Sequence, residues 1–437
     1  MSAALGSTPR RLRLLLIQPE NRRIHEFRRR QLNNFAQVTM PYLAGYVDQS
    51  AYEVALVDEY HDAIPYAQDW DLVALTVNTP NASHCYDISE RFRGRGIAVV
   101  MGGPHATLLP DEVGAWCDHL VVGEAESTWP EFLADFARGR AQPRYQSTRV
   151  PTLAGIPRPR WDLLRRSRTM KSAVVASRGC PYRCRYCNLK QIYHDALRTR
   201  PVAEVVAELA VSRSRFFVFW DDNLFADRGY AERLLRAVAP LRRRWAAQVT
   251  LRDCDDEELL QLARQAGCQY LFIGLETFSA GSLKDAGKRI NPLAQYDRII
   301  GAIHAHGIMV QAGIVFGFDS DTVDVFSQTL SACERLGIDG VTASMLIPLP
   351  GTPIHRQFAA EGRLLTKDWT AYDGKTAVAF QPAGLTVDQL MAGYAWFRRN
   401  FYSLRSFLRR MRVSRTRPLV NFVMNLGYWR GVRAHRN

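Results

Sequence analysis

The chain has 437 residues, of which 47% are hydrophobic and 23% are charged, and its formal net charge is +14. That length exceeds what one hydrophobic core supports, so two or three domains are expected, and the composition excludes a disordered chain. No run of about eighteen apolar residues predicts a transmembrane helix. No apolar segment near the start predicts a secretory signal, so a cytoplasmic location is expected.

Strands alternate with helices in the first part of the chain. Apolar runs predict strands at Leu12–Gln18, Val54–Asp58, Leu72–Val77, Ala98–Met101 and His119–Val122. Helical patterns at 41–49, 83–93 and 127–138 separate them. This alternation predicts a parallel, doubly wound, Rossmann-like sheet. Ligands bind such sheets at the carboxyl ends of the strands, where the candidate loops are 78–80, 102–105 and 123–126.

A proline-rich segment at 139–160 predicts a linker without regular structure, with a domain boundary near residue 150. Beyond it the alternation resumes. Strands are predicted at Ala173–Ala176, Phe216–Trp220, Ala247–Leu251, Tyr270–Leu275, Val310–Phe316 and Gly340–Leu346. Six such repeats predict a partial (β/α)6 barrel with its chemistry at the carboxyl ends of the strands. After Pro353 the pattern becomes helical. The expected regions are therefore 1–150, 151–355 and a basic helical extension at 356–437.

Three of the eight cysteines are clustered. Cys180, Cys184 and Cys187 follow a predicted strand with the spacing C-x3-C-x2-C. Three thiolates on one loop suit a [4Fe–4S] cluster that keeps one iron free. A zinc site needs a fourth ligand, for which His194 is a candidate. The other five cysteines are isolated, which predicts small buried side chains rather than disulfides.

This motif, including the aromatic Tyr186 before the last cysteine, resembles the signature of the radical S-adenosylmethionine (SAM) superfamily. The resemblance covers about residues 171–350 and implies that the free iron binds SAM. One electron from the cluster then cleaves SAM to a 5′-deoxyadenosyl radical, which abstracts hydrogen from an unactivated carbon. It also implies an electron donor such as flavodoxin or ferredoxin.

The same resemblance implies further contacts to SAM. Asp221 ends the second barrel strand, and the alternative is that Asp221 and Asp222 only cap the next helix. Glu276 ends the fourth strand and is expected to bind the ribose or ammonium group. Gly313 and Gly317 bracket the fifth strand, where adenine lies against backbone, although glycines in a strand also mark close packing.

A doubly wound domain directly before such a barrel resembles the cobalamin-binding class of this superfamily. Gly102, Gly103 and His105 in one loop, and Gly123 and Glu124 in the next, resemble the corrin-contacting loops of that class. The Asp-x-His-x-x-Gly pattern that supplies an axial histidine to cobalt is missing from the sequence. His84 and His105 are therefore either cobalt ligands or ordinary hydrogen-bonded histidines.

Together these resemblances predict a cobalamin-dependent radical SAM enzyme, most simply one that transfers a methyl group from methylcobalamin to a substrate carbon. A cyclase, oxidase or carbon–carbon bond-forming enzyme of the same architecture is the first alternative, and a non-enzymatic cobalamin sensor is the second. Segments 351–353 and 369–374 resemble subfamilies of hopanoid and bacteriochlorophyll biosynthesis, including anaerobic cyclase-like proteins. The substrate, and any residue that catalyses beyond cofactor binding, stay open.

The positive charge is concentrated in the tail. From Arg398 onward there are eleven arginines and no acidic residue, with apolar residues at helical spacing between them. This pattern predicts either a helix on an anionic membrane or a terminal helix that packs on the barrel. Nucleic acid is not expected as a partner, because basic platforms with interleaved aromatic residues are missing from the rest of the sequence.

Overall fold

The computed structural model describes residues 10–25, 37–147, 149–164, 172–194, 196–288 and 290–434. They form two compact units. The first comprises the described residues within 1–20, 37–151 and 156–167, and the second those within 21–36, 152–155 and 168–437. Of the described helices, none is long and apolar enough to cross a membrane. The three-region division drawn from the sequence stays a prediction.

The first unit is the predicted Rossmann-like sheet. Its six parallel strands have the order β2-β1-β3-β4-β5-β6. The strands are β1 Leu12–Gln18, β2 Tyr52–Asp58, β3 Leu72–Thr76, β4 Ala98–Gly102, β5 His119–Val122 and β6 Arg144–Gln146. The helices are α1 Thr39–Gly45, α2 Ala82–Arg93, α3 Pro104–Leu108, α4 Pro110–Gly114 and α5 Ala125–Ala137. Central strands are buried on both faces, which explains the continuous apolar run at 14–17.

The linker prediction is wrong at one point. Residues Arg144–Gln146 form a sixth strand that pairs in parallel with His119–Val122. Pro143 lies just before this edge strand, where a missing amide hydrogen costs no ladder bond. Tyr145 is buried against the neighbouring helix and donates a hydrogen bond to Asp135 at 3.1 Å. One buried aromatic residue in three is too short a pattern to indicate a strand.

The second unit contains the predicted partial barrel. Its open parallel sheet has the order β14-β13-β12-β11-β10-β7, and β8 and β9 form a separate antiparallel pair. The strands are β7 Ala173–Val174, β8 Ser177–Arg178, β9 Arg198–Thr199, β10 Phe216–Phe219, β11 Arg244–Val249, β12 Cys268–Glu276, β13 Met309–Phe316 and β14 Gly340–Met345. The helices are α6 Leu189–Tyr193, α7 Val202–Val211, α8 Arg228–Val238, α9 Glu257–Gln265, α10 Ala280–Asp285, α11 Tyr296–Ala305, α12 Val325–Arg335 and α13 Pro353–Ala360. All six predicted barrel strands are thus confirmed.

Three helices complete the second unit, namely α14 Val387–Phe401, α15 Leu404–Ser414 and α16 Pro418–Ala434. Phe397 and Phe401 of α14 belong to the hydrophobic core of the barrel. The expectation of helix after Pro353 is wrong for 361–386, where the described chain forms a loop with a short 3-10 turn at Trp369–Ala371. Trp369 and Tyr372 pack against each other there, with ring centroids 4.9 Å apart.

The tail packs on the barrel through a buried arginine. The Arg410 guanidinium lies 3.9 Å from the centroid of the Phe401 ring and donates hydrogen bonds to backbone oxygens of Ile338, Asp339 and Phe401. Burial lowers the pKa of Arg410 to about 10. A guanidinium held by several carbonyl oxygens fixes the position of α15, since leaving such a charge unpartnered in the interior is costly. The alternative of a terminal helix on the barrel is therefore confirmed for this segment.

Candidate cofactor site at the carboxyl ends of the strands

The three clustered cysteines lie on the loop between β8 and α6 and are partly exposed. The pKa of the Cys187 thiol is raised to about 12, mainly by burial and in addition by the neighbouring Cys184 and Cys180. Such mutual electrostatic effects show that the three sulfur atoms share one small region. A cluster binds cysteines as thiolates, and in its absence burial and the neighbouring thiols disfavour that form here.

The donor set fits a [4Fe–4S] cluster. Three cysteines of such a cluster bind three different irons, so their sulfur atoms need not converge on one point. Within the described residues, no three His, Cys, Asp or Glu side chains converge as they would around a single metal ion. His194, the candidate fourth zinc ligand, is exposed at the C-terminal end of α6. The five isolated cysteines are buried, as expected.

Gly179, directly before the first cysteine, makes the entry of this loop possible. Its φ angle is +94°, which favours glycine. A Cβ atom at this position would overlap the backbone oxygen of Ala196. The two ends of the loop therefore pass each other at a distance that no larger residue allows.

Two carboxylates after β10 hold the strand that leads into the loop. Asp221 accepts hydrogen bonds from the amides of Ala176, at 3.1 Å, and Ser177. Asp222 accepts one from the amide of Gly179 at 2.8 Å. The alternative that these residues cap the next helix is wrong, because Asp227 caps α8 through the amide of Tyr230. Their role in the described structure is to position the cysteine loop.

The loop has a further anchor in the 3-10 turn Arg252–Cys254, which follows β11. The hydroxyl of Tyr182, between the first two cysteines, donates to Asp253 at 2.6 Å. Asp253 also accepts hydrogen bonds from Asn223 and Thr250, each at 2.7 Å. Sequence patterns did not single out this carboxylate, because two of its three partners, Asn223 and Tyr182, lie 30 and 71 positions away along the chain.

Glu276 ends β12 in a buried ion pair. Its carboxylate lies 2.7 Å from Nζ of Lys288, and both side chains are less than a tenth exposed. The φ angle of Glu276 is +66°, and the pairing with β13 shifts register beside it. A Cβ atom on Gly274 would overlap this pair, so the glycine provides its space. Backbone strain at a buried charged residue is typical of functional sites.

Lys288 brings a positive charge to the cysteines. Burial lowers its pKa, but Glu276 and Cys184 outweigh that effect, and the net pKa of Lys288 is raised. The same ammonium group acts on Cys184 in the opposite sense and opposes the rise that burial causes in the pKa of that thiol. Lys288 was missed from the sequence, since a lone lysine in a loop gives no local pattern.

The other SAM candidates lie near this pair or on β13. Burial raises the pKa of Tyr186, and the adjacent Glu276 raises it further. The ring of Tyr186 packs edge-on against Phe318, with centroids 6.2 Å apart. Gly313 faces the ring of Phe272. Gly317 has a φ of +105° and donates its amide hydrogen to Asp321 at 2.7 Å. Their contacts with SAM stay predictions.

A cavity of about 330 Å³ lies inside the barrel, and Asp221 and Asp222 form part of its wall. Aromatic rings and uncharged amides form most of its wall. Gln311 donates to the hydroxyl of Tyr428 at 2.8 Å and to Thr342 at 2.9 Å. The lining residues are Val218, Phe219, Trp220, Asp221, Asp222, Ala246, Ala247, Gln248, Tyr270, Phe272, Gln311 and Tyr428. The tail thus supplies one wall of the cavity, which its arginine-rich sequence did not indicate.

The first unit presents its candidate loops at the carboxyl ends of β3, β4 and β5. The strand order reverses between β1 and β3, and ligands of such sheets bind at this point of reversal. There the Oε1 atom of Gln18 is buried and has no hydrogen-bond partner within the described chain. A corrin ring carries amide donors that suit such an acceptor. Gly123 has a φ of +83°, and a Cβ atom added to it would have no neighbouring atom within 4 Å. Its backbone is therefore open to a large ligand. These residues fit cobalamin.

Of the remaining cobalamin candidates, the two histidines and Gly103 contact other residues of the first unit. His105 is buried, with Nδ1 3.1 Å from the Thr79 hydroxyl and Nε2 3.6 Å from Glu112. His84 lies 2.8 Å from Glu59. Gly103 packs against the backbone of Val77. Gly102 ends β4 and Glu124 precedes α5, both partly exposed. Each histidine thus makes an ordinary hydrogen bond through one ring nitrogen, and a role of either histidine in cobalt binding stays a prediction.

Comparison with known proteins identifies both units. Residues 174–333 match the radical SAM superfamily model, and residues 34–133 match the B12-binding domain model. The chain is 30% identical over 394 residues to bacteriochlorophyllide d C-12(1)-methyltransferase of Chlorobaculum tepidum, covering 86% of this chain and 85% of that protein. It is 24% identical to the anaerobic magnesium-protoporphyrin IX monomethyl ester cyclase of Rubrivivax gelatinosus, covering 91% and 78%.

Among solved structures, the fold is similar to that of the radical SAM methyltransferase TsrM from Kitasatospora setae, determined with tryptophan and a SAM analogue bound. The TM-score is 0.68 at 16% identity, and the match covers 97% of each chain. At that identity the likeness concerns the fold: a B12-binding-type sheet, a partial barrel and terminal helices.

Proposed function

The chain belongs to the cobalamin-dependent class of the radical SAM superfamily, and on this premise we propose that it is a C-methyltransferase of a biosynthetic pathway. Its cofactors are a [4Fe–4S] cluster, SAM and cobalamin. The observation that carries the proposal is the gathering of three thiols beside a buried carboxylate–ammonium pair, with Asp222 joining the cysteine loop to the wall of a barrel cavity.

We assign the cluster to Cys180, Cys184 and Cys187. Asp221 and Asp222 fix the approach of their loop, and Lys288 offsets the negative charge of the thiolates. When bound, the cluster supplies the electron that cleaves SAM, and cobalamin supplies the methyl group for the substrate carbon. The protein's own part is to fix positions and exclude water, since a radical formed in an open site would react elsewhere.

We assign SAM to the region of Tyr186, Asp221, Glu276, Gly313 and Gly317. Glu276 supports this assignment because its strained backbone directs a carboxylate towards the cysteine loop. A carboxylate accepts hydrogen bonds from ribose hydroxyls or an ammonium group. Asp221 acts through the backbone of 176 and 177, so we give it a positioning role rather than a direct contact.

We assign cobalamin to the carboxyl edge of the first sheet, with Gly102, Gly103, Gly123 and Glu124 as backbone contacts. The open backbone at Gly123 and the buried acceptor of Gln18 support this placement. His105 is held between Thr79 and Glu112, so we expect it to shape the loop rather than to bind cobalt.

For the substrate we propose a flat, largely apolar biosynthetic intermediate, the class to which tetrapyrroles belong. The cavity supports this class, because Trp220, Tyr270, Phe272 and Tyr428 offer rings, and the uncharged polar side chains Gln248 and Gln311 also line it. Aromatic walls with a few placed polar groups are typical of such sites. The relative with 30% identity is a bacteriochlorophyllide d methyltransferase, which also supports a tetrapyrrole substrate.

A cyclase of the same architecture is the second candidate, favoured by the relationship to the magnesium-protoporphyrin cyclase. An acidic, low-potential donor such as flavodoxin or ferredoxin is the proposed source of electrons in either case. The cytoplasmic location stays a prediction.

The test begins with anaerobic purification in the presence of hydroxocobalamin, followed by quantification of iron, sulfide and cobalt. The protein is then incubated with reductant, methyl-deuterated SAM and bacteriochlorophyllide d as the probe acceptor. Four irons, about one cobalt per chain and a product heavier by one labelled methyl group support the proposal. Four irons with SAM cleavage but no cobalt would favour the cyclase. Cys184→Ala is the matched control, and retained SAM cleavage in that variant would overturn the cluster assignment.

A further inference from the structure

The last helix, α16, has a buried polar side and an exposed apolar side in its first part, up to Asn425, whereas Tyr428 and Trp429 further along pack against the barrel core. Asn421 and Asn425 are buried. Asn421 donates a hydrogen bond to the carboxylate of Asp339, and Asn425 donates one to the backbone oxygen of Asp339 at 2.9 Å. The outward side is apolar: Leu419 is 82% exposed and Val423 is 55% exposed. A helix on a water-soluble protein normally buries its apolar face. The exposed apolar side of this first part of α16 is therefore a candidate contact surface.

A groove beside this helix is lined by arginines. It lies at the amino ends of the barrel strands and has a volume of about 940 Å³. Its basic residues are Arg213, Arg215, Arg242, Arg243 and Arg244, and its apolar residues on α16 are Leu419, Val420, Val423 and Met424. No carboxylate lines the groove in the described part of the chain, and these five arginines form no ion pair there. Positive charge and exposed apolar surface thus occupy one face.

The neighbouring helix extends the same composition. Leu404 and Leu408 of α15 are at least half exposed, and the exposed Arg405 and Arg412 lie between or beside them. Alternating arginine and exposed aliphatic residues match the interface of a bilayer with anionic headgroups, where the guanidinium groups bind phosphates and the apolar groups enter the acyl boundary. A nucleic acid would match the charge but would leave the apolar side in water.

This face is at the end of the barrel opposite to the cysteine loop. The arginines precede β10 and β11, whereas Cys180 and the carboxylates follow β7 and β10. An electron donor docked here would be separated from the cluster by the length of the strands, so the face does not suit that partner. A membrane bound here leaves the cluster end of the barrel free.

We propose that the outer side of α16 and the adjacent arginine groove bind the surface of an anionic phospholipid bilayer. The helix lies in the headgroup region with Leu419 and Val423 inserted, and the arginines neutralise lipid phosphates. This peripheral contact is independent of catalysis and would place an enzyme for apolar intermediates where such molecules partition.

Vesicle flotation of the cofactor-loaded full chain tests the proposal. The protein is expected to float with vesicles of phosphatidylcholine and phosphatidylglycerol, and to remain unbound with phosphatidylcholine alone. Binding should weaken as salt rises, because screening acts on surface charges. Leu419→Glu with Val423→Glu should lower the partition coefficient roughly tenfold or more, since two apolar side chains lose their insertion. Arg213→Glu with Arg242→Glu should lower it by a similar factor.

Val323→Glu is the matched control, because Val323 is also 55% exposed but follows β13 at the other end of the barrel. It should float like the wild type, and so should Cys184→Ala, which separates this proposal from that on the reaction. Failure of the wild type to bind anionic vesicles would overturn the proposal. A dimer in light scattering that Leu419→Glu with Val423→Glu dissociates would also overturn it, because a second copy would then cover the face.

Discussion

The carboxylate of Asp222 accepts a hydrogen bond at 2.8 Å from the backbone amide of Gly179, the residue directly before Cys180. The contact joins the carboxyl end of β10 to the entry of the cysteine loop. Because the acceptor is charged, such a bond is stronger than one between neutral groups. The second barrel strand thereby helps to set the position of Cys180, the first of the proposed cluster ligands.

Asp222→Asn should weaken retention of the cluster. The amide keeps the shape but removes the charge, and a hydrogen bond to a charged group contributes about 1.5–3 kcal/mol. Iron release to a chelator should therefore be roughly tenfold faster or more. Asp227→Asn is the control, since Asp227 caps α8 away from the loop. Equal release rates in the two variants would contradict the role of Asp222.

Gly179→Ala should prevent cluster assembly. The new Cβ would overlap the oxygen of Ala196, and the φ of +94° is unfavourable for alanine. Gly362→Ala is the matched control. Gly362 also has a positive φ, of +68°, but a Cβ atom added to it would have no neighbouring atom within 4 Å. The control should cost about 1–2 kcal/mol of stability and retain full iron content. Normal iron content in Gly179→Ala would refute the steric argument.

Local patterns were sufficient for most of the fold. The six barrel strands are buried apolar runs, such as Val310–Phe316, and their length and spacing separate them from helices. The edge strand at Arg144–Gln146 was not predicted, because it has only three residues and one buried side chain. Its identity depends on pairing with His119–Val122, which is a tertiary contact.

For the site, the sequence predicted the cysteines and the carboxylates but not the residues from other segments that contact them or line the cavity. The cysteine spacing and the carboxylates at strand ends are local signals. Lys288 approaches Glu276 from a loop twelve positions away, and Tyr428 reaches the cavity from 117 positions beyond Gln311. Neither contact leaves a periodic pattern. Residues that hold or line the site from distant segments therefore require coordinates.

Asp221 should make stability depend on pH. Burial raises the pKa of this carboxyl from 3.8 to about 7, although hydrogen bonds from Ser177 and Ala176 oppose the rise. A carboxyl with a raised pKa holds its proton more tightly in the folded state. Its stabilising contribution is complete below pH 3.8 and is lost as the pH rises through 7.

Asp221→Asn removes this titration. The unfolding free energy of the wild type relative to the variant should fall between pH 5 and pH 7, by up to about 1.4 kcal/mol per pH unit. Denaturant unfolding at pH 5, 6 and 7 measures the difference. A difference that stays constant over this range would show that Asp221 is already ionised in the folded protein at pH 5.

The buried pair of Glu276 and Lys288 gives the sharpest test of the site's electrostatics. Lys288→Met leaves the Glu276 carboxylate buried without its cation, which should cost about 3–5 kcal/mol of unfolding free energy. Adding Glu276→Gln should recover a large part of that loss, because no uncompensated charge then remains. A double-mutant cycle on unfolding free energies measures the coupling.

Arg298→Met provides the control for that cycle. Arg298 pairs with Asp255 at 2.6 Å, but the two side chains are 58% and 38% exposed, so solvent screens their interaction. Its loss should cost less than about 1 kcal/mol. An equally mild loss in Lys288→Met would contradict the expected cost of leaving the Glu276 carboxylate buried without its partner.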